Sequence, residues 1–314
     1  MVSNNKNTYC ADLWENITVN KYGDVYSCCL LKPEIIGNIN DNSLNELINN
    51  KIAINSRKKS LAGKLECYET CSLVNKNISK KHTNIKVDKS NLKTIHISCS
   101  ESCNIKCIMC DHPKRHKENP LELSANQLIS KIDFRLFENI IIQGGEPLYI
   151  NACVNLINYL NENNFGYTLL TNGLLINDEN AKQLALNAKI ISISINAASQ
   201  NIHESINKGS DFYKILKNIQ TIISYRESFK TELILFGRMT LVEQNLHEIP
   251  LFLEKYKSFG FDKINFGFDN PSVPNFLKEN MIFKGNLKKE IISILKKVCK
   301  DDIDLKRLKQ LELI

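Results

Sequence analysis

The sequence predicts an α/β fold: an incomplete (β/α)6 barrel of the TIM type behind a small cysteine-rich module. Three observations predict it. From residue 93 onward, six short apolar runs alternate with amphipathic stretches. Nine of the eleven cysteines fall within the first 110 residues. A polar stretch at 75–91, carrying Lys80, Lys81, Lys86 and Lys89, separates two cysteine groups.

The apolar runs read as strands at 94–98 (TIHIS), 139–142, 167–170, 189–195 (KIISISI), 232–236 and 263–268. Between them, apolar residues recur at helical spacing over 152–161, 180–187, 211–224 and 246–259, and a basic helix at 288–297 closes the chain. Alternation of this kind builds a parallel sheet. Roughly 190 residues are too few for eight β/α units, so six are expected. Active sites of such sheets lie at the carboxyl ends of the strands. The second cysteine group, Gly144-Gly145 and Thr171-Asn172-Gly173 all fall there. In the first 75 residues, 18–27 reads as a β-hairpin turning at Gly23, and 43–49 as a short capped helix. The expected domains are a module at 1–75, a linker at 76–92, the barrel at 93–285 and a helical tail at 286–314.

The chain has 314 residues, 43% hydrophobic and 24% charged, with a net charge of +7. That is ordinary for a globular protein with a sizeable core. No Lys/Arg block with interleaved aromatics marks a nucleic-acid groove, so no nucleic-acid partner is expected. No run of about 18 apolar residues exists, so no membrane span is expected. The start, MVSNNKNTYC, lacks the apolar segment of a secretion signal, and a cytoplasmic location follows. Clustered cysteines in a reducing compartment point to metal rather than disulfides.

The second cysteine group contains Cys103, Cys107 and Cys110 in the spacing Cys-x3-Cys-x2-Cys. Three thiolates within eight residues can wrap one corner of an iron–sulfur cubane and leave one iron open, as a catalytic cluster requires. The competing reading is a zinc site completed by His112 or His116. His96 reads as a satisfied core histidine rather than a ligand, and Met109, just before Cys110, as packing over the cluster or an adenine.

The pattern resembles the radical S-adenosylmethionine superfamily. The cysteine loop after the first strand is that family's signature. Gly144-Gly145-Glu146-Pro147 resembles its glycine-rich motif. Residues 192–198 (SISINAA), 211–219 and 244–250 resemble further segments, with Asn196 where relatives often carry Asp. The resemblance implies a [4Fe–4S] cluster on Cys103, Cys107 and Cys110, with S-adenosylmethionine on its open iron. Gly144, Gly145, Glu146, Asn172, Ser194 and Asn196 are then the expected cofactor-binding residues. An electron donor such as flavodoxin or ferredoxin is the implied partner. Arg238 is a candidate for holding a substrate carboxylate. Cys99 is a candidate hydrogen donor, set against its reading as a small buried hydrophobe.

The earlier cysteines resemble a Twitch or SPASM auxiliary-cluster module. Cys10, Cys28, Cys67 and Cys71 would ligate a second [4Fe–4S] cluster, with Cys29 able to replace Cys28. A zinc knuckle is the alternative. The expected function is hydrogen abstraction from a small polar metabolite, with the second cluster taking an electron in a net oxidation. Peptide maturation, radical epimerisation and a non-catalytic metal-binding adaptor are the alternatives.

Overall fold

All six apolar runs after residue 93 form strands, each close to its expected place. The structure is a computed structural model. It describes residues 2–3, 9–28, 34–65, 67–68, 71 and 81–314, with 2–3 and 67–68 as main chain alone. In chain order the strands are β1 (Val2–Ser3), β2 (Asn16–Val19), β3 (Asp24–Tyr26), β4 (Ile35–Asn38), β5 (Cys67–Tyr68), β6 (Thr94–Ser98), β7 (Lys106–Cys107), β8 (Asn139–Gln143), β9 (Tyr167–Thr171), β10 (Ala188–Ser194), β11 (Asn207–Lys208), β12 (Ile234–Leu241), β13 (Lys263–Phe268) and β14 (Ile303–Asp304). Contacts divide the chain into two units, 1–102 with 114–167, and 103–113 with 168–314.

In the first unit the strand order is β8-β6-β2-β3-β4. The expected hairpin is β2 and β3, antiparallel, turning through Gly23 at a φ of +81° that glycine adopts without strain. β2 runs parallel to β6, and β6 parallel to β8. Ile17 and Val19 thus oppose Ile95 and Ile97, which oppose Ile140 and Ile142; none is more than 1% exposed. Branched side chains fit this pleated layer, and burying each contributes about 1.5–3 kcal/mol.

The expected linker at 76–92 is corrected over its described part. Residues 81–92 are fastened to the preceding elements. Trp14, on α1 (Asp12–Glu15), donates Nε1–H to the Asn84 carbonyl at 2.6 Å and stacks on His82. Asn49, ending α2 (Leu44–Asn49), binds both the N–H and the C=O of Val87, at 2.9 and 2.8 Å. Arg57, on α3 (Lys51–Leu61), is 1% exposed and donates to the carbonyls of Ile85 and Leu13. Burial pushes its guanidinium down to about 10. An extended segment needs partners for its polar main chain, and these long polar side chains supply them. α2 carries the expected cap as a full capping box between Ser43 and Glu46. Three more helices follow: α4 (His112–Glu118), α5 (Ala125–Lys131) and α6 (Asn151–Glu162).

The second unit has the order β9-β10-β12-β13-β14, and its paired strands from β10 to β14 are parallel. α7 (Asp178–Asn187) and α9 (Phe212–Phe229) pack together, with α8 (Gln200–Ile206) between them in sequence. The helix expected at 246–259 is instead a 3-10 turn (Glu243–Glu248) followed by α10 (Ile249–Lys255). Pro250 explains the break: it is tolerated only in a helix's first turn. The expected helical tail is likewise corrected. After α11 (Ser272–Glu279) and α12 (Met281–Ile294), the chain returns as β14, where Ile303 pairs with Ile264, and ends on α13 (Lys306–Gln310). Among the described residues no helix is long and apolar enough to cross a membrane.

Candidate functional site

The cysteine loop is shaped by its own unit. β7 pairs antiparallel with β11, which sets Cys107 opposite Asn207 and Lys106 opposite Lys208. Ile108 N–H extends the ribbon to the Ile206 carbonyl at 2.9 Å, and Cys110 N–H turns back to the Cys107 carbonyl at 3.1 Å. Ile105, 3% exposed, anchors the loop. Asn172, just past β9, donates Nδ2–H to Asn104 Oδ1 at 2.8 Å and approaches Cys103 Sγ at 4.0 Å. Asn207 Nδ2–H donates to Cys107 Sγ at 3.3 Å.

Cys103 and Cys107 are half-buried and Cys110 is exposed. Burial pushes the Cys107 thiol up to about 12, and the Cys110 and Cys103 thiols add to the effect. A thiol held up in this way, by burial and by its neighbours, is a donor that a cationic iron core would relieve. Among the described residues no group of three or more His, Cys, Asp or Glu side chains closes tightly enough to hold one metal ion. A cubane asks for a wider triangle, because each thiolate binds its own iron. The residues therefore fit an iron–sulfur cluster with three protein ligands.

In the first unit, the segment before this loop is held against the glycine motif. Gly145 N–H donates to the Ser100 carbonyl at 3.0 Å, and Glu146 N–H to the Ser102 carbonyl at 2.8 Å. A Cβ on Gly145 would lie 1.8 Å from the Ser102 carbonyl oxygen, and one on Gly144 would lie 2.5 Å from that of Ser100. Gly144 also has a φ of +140°, so only glycine serves at both positions. Glu146 is 1% exposed, and its Oε1 accepts from Leu148 N–H at 3.1 Å. Glu101 is gripped by Lys21 at 2.7 Å and Arg115 at 2.6 Å.

The remaining expected residues divide. Ser194 is half-buried at the end of β10, in register with Arg238. Asn196 is 2% exposed, and its amide is engaged by Thr240 and Asn207. Its side chain is therefore held within the protein framework. Cys99 is 0% exposed. Its thiol is pushed well above the usual range by a hydrogen bond to Cys153 and by burial. A hydrogen donor must reach substrate and exchange with solvent, so the buried reading describes Cys99. Burial pushes half-buried His96 down to about 4, and among the described residues its Nδ1 has no hydrogen-bond partner, so it is not the satisfied core histidine expected. Met109 is half-buried.

Of the earlier cysteines, Cys10 is buried with its N–H on Ser60 Oγ at 2.9 Å, and Cys28 and Cys71 are half-buried. Cys67 lies in β5, which pairs with β1. Its side chain and all of Cys29 lie outside the described residues. Sequence reasoning missed Asn104, Asn207 and Lys21. Their signal is a tertiary one, since Asn207 meets Cys107 from 100 residues away.

Residues 97–248 match the family model of the radical SAM superfamily, and residues 10–73 match that of an iron–sulfur cluster-binding domain, SPASM. The chain carries a radical S-adenosylmethionine domain, with an iron–sulfur cluster-binding SPASM domain ahead of it. The cofactors of that architecture are a [4Fe–4S] cluster, S-adenosylmethionine and auxiliary iron–sulfur clusters. Among curated relatives, a GTP 3',8-cyclase of Clostridium perfringens is 26% identical over 68% of this chain and 65% of its own length. One from Peptoclostridium acidaminophilum is 30% identical over 40% of this chain and 41% of its own. The chain thus spans between 41% and 65% of the length of these relatives. Solved structures resembling it include Streptococcus suis SuiB bound to precursor peptide SuiA (14% identity, TM-score 0.47, covering 90% of this chain and 70% of that one). Another is anSMEcpe with bound AdoMet and a peptide (21% identity, TM-score 0.47, covering 62% and 58%).

Proposed function

We propose that this chain cleaves S-adenosylmethionine reductively and removes a hydrogen atom from a small, anion-bearing polar molecule, in a net oxidation. Two observations, one in each unit, carry the reading: the three-cysteine loop, and a glycine turn packed so closely on residues 101–102 that Gly145 admits no Cβ. When bound, the clusters and S-adenosylmethionine supply the 5′-deoxyadenosyl radical and a sink for one electron. The chain's own residues do the rest. Cys103, Cys107 and Cys110 would each hold one iron. Gly144 and Gly145 let main chain approach the methionyl group. Asn172 fixes the loop through Asn104. Cys10, Cys28, Cys67 and Cys71 would hold the second cluster.

Arg238 supports an anionic substrate. Its guanidinium is pushed below the usual arginine range, chiefly by burial and further by Arg307. Among the described residues no carboxylate pairs with it. A half-buried guanidinium of this kind suits a carboxylate or phosphate. The cyclase relatives are named for GTP, which is itself a polyanion.

The test is anaerobic. Reconstituted protein should hold about eight irons and form 5′-deoxyadenosine with dithionite. The Cys103→Ala/Cys107→Ala/Cys110→Ala variant should keep about four irons and form none. Formation of 5′-deoxyadenosine by that variant refutes the assignment. Cys67→Ala/Cys71→Ala should leave cleavage measurable and block substrate oxidation; equal product yield from it would remove the second cluster from the mechanism.

A further inference from the structure

Behind the cysteine loop lies a buried chain of amides. Asn207 is 1% exposed and Asn196 is 2% exposed. Asn207 Nδ2–H donates to Cys107 Sγ at 3.3 Å. Asn207 Oδ1 accepts from Asn196 Nδ2–H at 3.0 Å. Asn196 Oδ1 accepts from the main-chain N–H of Thr240 at 2.8 Å.

The direction of this chain is forced. A main-chain N–H can only donate, so Asn196 must turn its oxygen to Thr240. Its NH2 then faces Asn207, which must present its oxygen there. That leaves the Asn207 NH2 for the sulfur. The frame around it is rigid. Asn196 N–H donates to His203 Nδ1 at 3.2 Å. Asn245, 0% exposed, donates to the carbonyls of Asn196 and Thr240 at 2.7 and 2.9 Å and accepts from Val242 N–H at 2.8 Å. Neither asparagine can flip alone without setting two donors or two acceptors face to face.

We propose that this relay of aligned amides, from the β12 main chain through Asn196 and Asn207 to Cys107, raises the reduction potential of the cluster on Cys103, Cys107 and Cys110. The proposal rests on the reading of those three cysteines as cluster ligands. One-electron reduction of the cluster by an external low-potential donor adds one negative charge, shared with the thiolate sulfurs, and moves no proton and breaks no bond. An N–H aimed at a sulfur stabilises the reduced form more than the oxidised one. Polarisation along the relay strengthens the last bond, and burial removes water that would compete for it. Asn207 and Asn196 are positioning residues in this scheme; they act through Cys107.

The two asparagines separate the relay from a lone contact. Asn207→Leu removes the donor at the sulfur. Asn196→Asp keeps an oxygen for Thr240 but presents a second oxygen to Asn207, which must flip to donate to it. The flip turns Asn207 Oδ1 toward Cys107 and withdraws the N–H, although residue 196 touches no cysteine. The readout is a redox titration of holoprotein, followed by the electron paramagnetic resonance signal that changes when S-adenosylmethionine is added. In both variants, reduction should become about tenfold less favourable, a midpoint ~59 mV lower for this one-electron couple. An unchanged midpoint in cluster-loaded Asn207→Leu overturns the proposal. A shift in Asn207→Leu without one in Asn196→Asp overturns the relay. Should Asn207→Leu fail to load its cluster, the midpoint of Asn196→Asp decides. If wild type shows no signal that responds to S-adenosylmethionine, the cluster reading itself fails.

Discussion

Gly145→Ala tests the close approach on which the site is built. The new Cβ would sit 1.8 Å from the Ser102 carbonyl oxygen, 2.5 Å from the Ser102 carbonyl carbon and 2.7 Å from that of Glu101. All three are main-chain atoms, so no side chain can swing away. Either the 100–102 segment or the glycine turn must move. Movement sacrifices Gly145 N–H to Ser100 and Glu146 N–H to Ser102. Two such bonds contribute about 1 kcal/mol each, and overpacking costs about 1–3 kcal/mol. The expected loss is ~3–5 kcal/mol, with Cys103 displaced and the three-cysteine cluster poorly retained. Gly285→Ala is the matched control, because nothing lies within 4 Å of its Cβ and it sits within α12. That change should stabilise by about 0.5–1 kcal/mol through helix propensity. Denaturant titration followed by far-ultraviolet circular dichroism, with iron content measured in parallel, reads both. If Gly145→Ala lies within about 0.5 kcal/mol of wild type and keeps its iron, the approach drawn here is wrong.

Two further outcomes follow from buried charges. His96 and His203 are both pushed down to about 4 by burial, for His203 against an opposing push from Glu204. The unfolded chain titrates them near 6.5, so between about pH 6.5 and 4 it binds protons that the native state refuses. Stability should be flat above that window and fall on acidification, at about 1.4 kcal/mol per pH unit for each histidine. His96→Gln should remove one histidine's share of the slope; a slope unchanged in denaturation series across the window would refute this. Lys21 is 5% exposed and holds Glu101, whereas Arg115 on the other side is 47% exposed. Lys21→Met should cost about 2 kcal/mol, and Arg115→Met less than about 0.5 kcal/mol. The emission of Trp14, the single tryptophan, should shift red with unfolding of the first unit and report the difference. Equal costs for the two variants would contradict the buried grip.

The sequence by itself determined the strands, the helix periodicity and the ligand loop. These features are local. Ile95 and Ile97 alternate with half-buried neighbours within five residues, Ser43 caps α2 from three residues away, and Cys103, Cys107 and Cys110 lie within one turn of chain. Only the tertiary structure decided what the polar residues do. Residues 81–92 look like a linker because their composition is mostly polar, with Lys81, Lys86 and Lys89 among them. Yet Asn49, Arg57 and Trp14 satisfy their main chain from 28 to 70 residues away. Asn196 is a cofactor contact by the resemblance of 192–198 to a family segment, yet Thr240 and Asn207 claim its amide. Asn207 carries no mark in the sequence at all. A hydrogen-bonding side chain can serve a ligand, a solvent face or a distant main chain with the same letters. Hydrophobic periodicity fixes only the face on which it lies, and the partner is set by which chain segments the fold brings to that face.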